Sequence, residues 1–354
     1  MAVFPLNEKI NLRNSSEWPS YEAVETLIQA YGTVTIKPVR YDNRGFIWFL
    51  ADHPITNVHE VRDEEGDIGF TWYNEIDHLG NQCSFMETDS SMKGIEFQAT
   101  IEGKKHPVTA NTLIKEPSDV ITDIFNLNPN VQFQESDIDI YKRDCQELGI
   151  QIDGILGDHD QSTQYYFNQI KASTGSVWGG ALKNIFRIFP RIEVPEAEYI
   201  AKNLTKKNLY TVNAVSNYND IKTILRINYN FNHVTGVPQE VLQLESVEGV
   251  KKYRLTKEVN FYWIRSGRLA WKIGERILKF WARKKWKVTF SSQEELISGE
   301  YSNFNHPGIP GDQADYMVLK SNVKPTGTGG DYSIYIPVGT IPEVAITYQS
   351  ESFD

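Results

Sequence analysis

The stretch RSGRLAWKIGERILKFWARKKWKVTF, residues 265–290, constrains the fold more than any other part of the chain. Wound as a helix at about 100° per residue, it sorts into two faces. Leu269, Ile273, Ile277 and Phe280 form an apolar stripe, widened by Ala270 and Trp281. Arg265, Arg268, Lys272, Arg276, Lys279 and Arg283 recur at intervals of 3, 4, 4, 3 and 4 and form a basic stripe beside it. From Lys284–Lys285 the pattern becomes alternation, Trp286, Val288, Phe290, which describes a half-buried strand. The sequence predicts an amphipathic helix over 262–284 that docks by its apolar stripe and runs straight into a strand.

Residues 265–287 hold nine Lys and Arg but one acid, Glu275, in a chain whose net charge is −10, so the remainder carries −18. A basic stripe is ordinarily a solvated helix face. Such a face is usually laced with acids at i,i+4, and only Glu275 is placed to do that here. An anionic partner is the sharper reading: nucleic acid, or an acidic protein surface, including the acidic remainder of this chain in another subunit.

The other bounds are broad. A chain of 354 residues can bury a core and divide into one large or two to three small domains. Aromatics at 12% and charged residues at 23% describe a globular protein. A pI near 5.3 restricts any nucleic-acid contact to a local patch. Cys83 and Cys145 make no disulfide framework and suit a reducing compartment. The start, MAVFPLNEKINLRN, lacks the apolar core of a secretory signal, and no run reaches the eighteen or so apolar residues of a membrane span, so no membrane anchor is expected.

Read in order, residues 1–106 look all-β. Before the strands, Ser20 is placed to cap a short helix with Ala23, Val24, Leu27 and Ile28 on one face and Gly32 at its end. TVTIKPVRY and GFIWFLAD read as strands around the turn 42–45, HPITNVHEVRDEEGD as a polar loop, and IGFTWYNEI, NQCSFMET and GIEFQATIEG as further strands. Residues 107–195 change character. Pro117 starts a helix with Val120, Ile121, Ile124 and Phe125 on one face. Ser136 caps a second, with Ile138, Tyr141, Cys145 and Leu148 in a stripe and Gly149 at its end. Ser162 opens a third, with Tyr166, Phe167 and Ile170 inward and Gly175 at its end, followed by a hairpin over Gly179–Gly180. Residues 196–354 return to strands, ILRINYNF and EVLQLESV about a turn at 233–238, then KKYRLTKEV, the basic helix, and KWKVTFSS, ADYMVLKSN, DYSIYIPV and VAITYQSE. EYSNFNHPGIPGDQ and KPTGTGG read as exposed connections. The fold class is α+β.

No motif carries obvious chemistry. The seven histidines are scattered and none has the spacing of a zinc site. Asp158-His159-Asp160 is the one tight acid–histidine cluster, and its place before a Ser-capped helix makes it a turn. No phosphate-binding loop or nucleophile elbow occurs, and Gly327–Gly330 has no helix after it. No catalytic residue, metal or cofactor is assigned, and the chain reads as something other than an enzyme.

Four segments, in order, resemble the hub proteins at the end of bacteriophage tails: WFLADHPI; EPSDVITDIF, with Glu116 where Asn is usual; IDGILGDHDQSTQYYFNQIKASTGSVWGGALKNIFRIFP; and GRLAWKIGERILKFWARKKWKVTF. For the Gly-Asp pair that follows the last strand in that family, Gly311-Asp312 is the candidate. The resemblance implies two tail-tube-like β-barrel domains, residues 1–106 and 196–354, with the α+β module 107–195 between them and the basic helix inserted in the second. It implies a homotrimer whose six barrels join a sixfold tail tube or distal tail protein to a threefold spike or central fibre, in a virion made in the host cytoplasm, with DNA or a tape measure protein in the channel. Two other classes stay open: a polysaccharide or cell-wall hydrolase using loop carboxylates such as Asp312 and Asp315, and a binding module whose basic patch contacts nucleic acid.

Overall fold

The computed structural model describes residues 12–13, 26–42, 44–107, 112–127, 138–158, 160–179, 185–189, 200–216, 220–310, 314–323 and 329–350. It is α+β, with strands at both ends of the chain and most helical residues between them.

The first β-rich region holds β1 (Gln29–Tyr31), β2 (Thr33–Ile36), β3 (Val39–Arg40), β4 (Ile47–Ala51), β5 (Ile55–Arg62), β6 (Phe70–Ile76), β7 (Gln82–Thr88) and β8 (Gln98–Lys104). They form a three-stranded sheet ordered β2-β8-β5 and a four-stranded sheet ordered β3-β4-β7-β6. Val34, Ile36, Leu50, Ile55, Val58, Val61, Ala99 and Ile101 pack as one core between them. Two expectations fail here. β5 was expected as loop; Ile55, Val58 and Val61 are buried, but a register shift between Val58 and Glu60 breaks the alternation that marks a strand. Leu27 and Ile28 are not helical, and Gln29–Tyr31 form a strand paired with residues 154–156 in place of the expected end of a helix. Ser20, Ala23 and Val24 lie outside the described residues.

The middle segment holds α1 (Pro117–Asn126), α2 (Asp139–Leu148), β9 (Gly154–Leu156), α3 (Thr163–Thr174) and the hairpin β10 (Ser176–Gly179) with β11 (Ile185–Ile188). The helices start and stop where local chemistry dictates. Pro117 fills the first position of α1, where its missing N–H costs nothing. The Ser162 hydroxyl accepts from Tyr165 N at the start of α3. Gly149 and Gly175, at φ 63°, end α2 and α3 in the left-handed conformation. Ser136, Pro190 and Pro195 lie outside the described residues.

The second β-rich region holds β12 (Ile200–Thr205), β13 (Leu209–Ser216), β14 (Ile224–Asn232), β15 (Val237–Ser246), α4 (Gly249–Lys252), β16 (Thr256–Asn260), α5 (Gly267–Trp281), β17 (Lys284–Ser292), β18 (Tyr301–Asn305), β19 (Ala314–Met317), β20 (Lys320–Val323), β21 (Gly330–Val338) and β22 (Val344–Gln349). Its sheets are ordered β16-β14-β15-β22, β13-β17-β21-β20 and β12-β18-β19. Leu209, Val288, Phe290, Phe304, Ile334 and Ile336 form a core of their own. The segment expected as an exposed connection contains β18, whose Tyr301 and Phe304 are buried against β12 and β19.

Helix α5 is shorter at both ends than 262–284. Phe261, Trp263 and Ile264 are spent on the core in a turn before it, and β17 begins at Lys284. Its apolar stripe lies between the middle helices and the sheet of β14 and β15. Ile273, Ile277 and Leu278 share one core with Ile121, Phe125, Tyr141 and Phe167 on one side and Ile227, Leu242 and Leu244 on the other. The approach is close elsewhere too: a Cβ on Gly154 would stand 2.3 Å from the Trp263 indole, so β9 needs glycine there.

Candidate functional site

The basic stripe divides in the middle of α5. Arg265, Arg268 and Lys272 are exposed. Arg265 Nη1 donates to Thr33 O at 3.1 Å, and no carboxylate among the described residues pairs with any of the three. All three line a polar groove of about 900 Å³ whose other walls come from the first β-rich region, the middle segment and β15.

Two of that groove's three acids are paired with cations. Asp153 Oδ1 accepts Thr33 N at 2.8 Å and pairs with Lys115 at 3.5 Å. Glu60 accepts from Thr100 and Arg62. Glu240 accepts Asn230 Nδ2 at 2.9 Å and faces the Tyr229 hydroxyl, whose ionisation it opposes together with burial. His59 stands 3.1 Å from Glu102. The groove also receives the start of α5. Ser266 does not cap this turn with its side chain and the turn holds no acid, so the positive end of the helix adds to the three cations.

The second half of the stripe is built into the protein. Arg276 is buried and its Nη2 donates to Thr174 O at 2.6 Å and Gly175 O at 3.5 Å, the last carbonyls of α3. A cation belongs at a helix C-terminus, where the carbonyl dipoles sum to a partial negative charge. Lys279 pairs with Glu275 at 2.8 Å, one turn before it. Arg283 lies beyond α5, and its Nη2 donates to Gly339 O at 2.8 Å. The six residues therefore do not share one open face. Arg268, Lys272, Arg276 and Lys279 lie on α5, Arg265 precedes it and Arg283 follows it, and α3 and the chain around Gly339 take up part of the stripe.

Sequence reasoning missed the most buried cation among the described residues. Lys285, counted only as the start of a strand, is 1% exposed. Its Nζ donates to Asp220 O, Trp281 O and Arg283 O at 2.9, 3.2 and 3.1 Å and faces the Trp281 ring at 4.7 Å. Burial pushes its pKa down to about 8, and the nearby Lys257 and Arg283 act in the same direction. Alternation pointed the other way: Lys285 is in step with the exposed Lys287 and Thr289, and it is the end of α5, with Phe280 and Trp281, that covers it.

A second cluster sits inside WFLADHPI. His53 is buried; its Nε2 accepts Ala30 N at 3.0 Å, which leaves Nδ1 to donate to Pro54 O at 2.9 Å. Burial holds its pKa near 4, so it stays neutral and ties β1 to the β4–β5 corner. Asp52 pairs with Arg13 at 2.9 Å, and Arg13 also reaches Asp77 at 2.8 Å. Burial pushes Asp52 up to about 6 and Cys83, beside it, up to about 12. Every member has a structural partner, so this segment of the motif holds the first region together.

Asp158 Oδ1 accepts Asp160 N at 2.8 Å, an Asx turn ahead of α3; His159 lies outside the described residues. Asp312 and the side chain of Asp315 also lie outside them, as does Gly311. Among the described residues no group of three or more His, Cys, Asp or Glu could hold a metal ion, and no helix is long and apolar enough to cross a membrane.

No family model and no curated protein matches the chain. Among solved structures it is similar to the prophage tail protein gp18 from Listeria monocytogenes EGD-e, at 12% identity and a TM-score of 0.31 over 89% of this chain and 91% of that one. It is similar to a tail protein from Neisseria meningitidis MC58, at 8% identity and a TM-score of 0.37 over 90% and 94%. A 43 kDa tail protein of prophage MuSo2 from Shewanella oneidensis gives 8% identity and a TM-score of 0.35 over 88% and 98%. These likenesses are remote, and none assigns a role to a residue.

Proposed function

We propose that this protein is a structural component of a bacteriophage tail, the homotrimeric hub that joins a sixfold tube or distal tail protein to a threefold spike or central fibre. In this reading residues 1–106 and 196–354 supply two barrel-like domains per subunit, and 107–195 is the module between them. The observation that carries it is the state of the outer strands. Among the described residues, β6 and β22 each stand at the edge of a four-stranded sheet. Ile76 on β6 is 59% exposed, and Ile346 and Tyr348 on β22 are 41% and 55% exposed.

An apolar edge strand left open invites pairing with another chain, and monomeric proteins usually blunt such edges with charge or proline. Two such edges per subunit suit a protein whose work is to be a ring. The four hub-like segments support the same reading, since they fall on β4–β5, α1, β9 to β11 and α5–β17 in the order of that family. Symmetry matching requires shape and interface, and a groove with three open cations offers an interface.

The test is an image of the parent particle labelled with an antibody to this protein. Label at the tip of the tail distal to the head is expected. Label at the head, or none on intact particles, contradicts the reading.

A further inference from the structure

We propose that the acidic tip between β5 and β6 of one copy seats in the Arg265–Arg268–Lys272 groove of the next copy around a closed ring. Like charges gathered at the positive end of a helix oppose one another and the helix dipole. Arg265, Arg268 and Lys272 are gathered in this way, beside a first turn with neither an acid nor a side-chain cap. Of the groove's own acids, Glu60 and Asp153 pair with Arg62 and Lys115, and Glu240, which meets only neutral groups, is outnumbered by the three cations. The groove therefore keeps an excess of positive charge for an anion from outside to meet.

The same chain carries an anion of fitting form. Asp63, Glu64, Glu65 and Asp67 stand in one five-residue turn, with Glu64, Glu65 and Asp67 exposed. The turn is already ordered: Asp63 Oδ1 accepts Glu65 N at 2.8 Å and Gly66 N at 3.0 Å, and Asp63 N donates to Gly66 O at 3.0 Å. A preformed turn loses little conformational entropy when it docks. Glu60, on the same strand, lines the groove, whereas none of 63–67 does, so the tip passes its own groove without filling it.

A knob and a socket at different places on one surface make a heterologous contact, which closes into a ring where the rotation allows. Carboxylates of the tip accept from the guanidinium groups of Arg265 and Arg268 and from the Lys272 ammonium, with the first N–H groups of α5 behind them. The proposal takes its closed ring from the hub reading; the contact itself rests on the charges.

Three variants test it by sedimentation velocity on the full chain at low salt: Arg268→Glu with Lys272→Glu, Glu64→Lys with Glu65→Lys, and all four together. All four side chains are exposed, and unchanged circular dichroism checks the fold; Arg268→Gln with Lys272→Gln is the milder second groove variant. Each reversed pair should weaken self-association by about tenfold or more, and the fourfold variant should restore it to within about threefold. Association unchanged in either pair, or the fourfold variant weaker than both, overturns the contact and leaves the trimer standing. A wild-type chain that never associates overturns the hub reading together with it. Retention of the wild type on double-stranded DNA, lost in the groove variant while association is unchanged, replaces the subunit with nucleic acid.

Discussion

The two ends of α5 carry the same residue types at the same spacing and meet opposite surroundings. Toward its start Arg265, Arg268 and Lys272 open into solvent around a 900 Å³ groove. Toward its end Arg276 donates to the last carbonyls of α3, Lys279 to Glu275, Arg283 to Gly339 O, and Lys285 to three carbonyls around the end of the helix. A cation is stabilising where carbonyls gather and has to be explained where N–H groups gather. The contrast assigns the late cations to stability and leaves the early ones for association, and each can be varied without the other.

The largest effect is expected at Arg276. Replacing it with Ala removes a buried charged donor from the end of α3 and should destabilise the fold by about 2–3 kcal/mol, read as a lower urea midpoint with unchanged slope. A change below about 0.5 kcal/mol would put Arg276 back among the surface cations and dissolve the contrast.

Lys285 sharpens it through pH. The folded chain releases this proton near pH 8 and the unfolded chain near the ordinary 10.5, so between these values unfolding takes up a proton. Rising pH therefore favours the folded state across that window, by at most about 1.4 kcal/mol per pH unit from this group. Tyr31 and Tyr141, whose burial raises their pKa values, pull the other way at the alkaline end, so the quantity to read is the difference between wild type and Lys285→Met. The wild type should gain relative to the variant from pH 8 upward; parallel curves would mean that Lys285 is not held as described.

At the open end, Arg268→Ala should alter stability by less than about 0.5 kcal/mol while weakening association, measured on the same preparation by urea unfolding and light scattering. A loss of stability comparable to that of Arg276→Ala would show that the early cations are structural after all. The smallest effect belongs to Glu275→Ala, which frees Lys279 from a half-exposed i,i+4 pair and should cost about 0.3–0.5 kcal/mol. Thermal unfolding resolves a change of that size, and stabilisation would mean that the pair is offset by repulsion elsewhere.

What was legible in the sequence was local. Pro117, Gly149, Ser162 and Gly175 set the helix limits they were expected to set, because caps and left-handed turns depend on a few neighbouring residues. The β14–β15 hairpin and the apolar stripe of α5 were legible because their periods are unbroken. β5 was not, since its bulge interrupts the period, and β18 was not, since its neighbours are asparagine and serine. The fate of the basic stripe was hidden for a different reason. Arg276 meets Thr174, about a hundred residues earlier, and only the packing of α3 beside α5 decides that the stripe ends there. Spacing put the six cations on one helix face; it could not show that Arg265 and Arg283 fall outside the helix, or what covers the face between them.

The mass of the wild-type chain in solution, followed as salt is raised, tests the account most directly. Light scattering at low salt should give three times the 40.6 kDa of one chain, with the trimer dissociating more readily on dilution as added salt shortens the reach of exposed charges to a few ångströms and leaves the apolar edges to hold it. A mass of 40.6 kDa at every concentration and at the lowest salt, for a chain that is folded throughout, would contradict it.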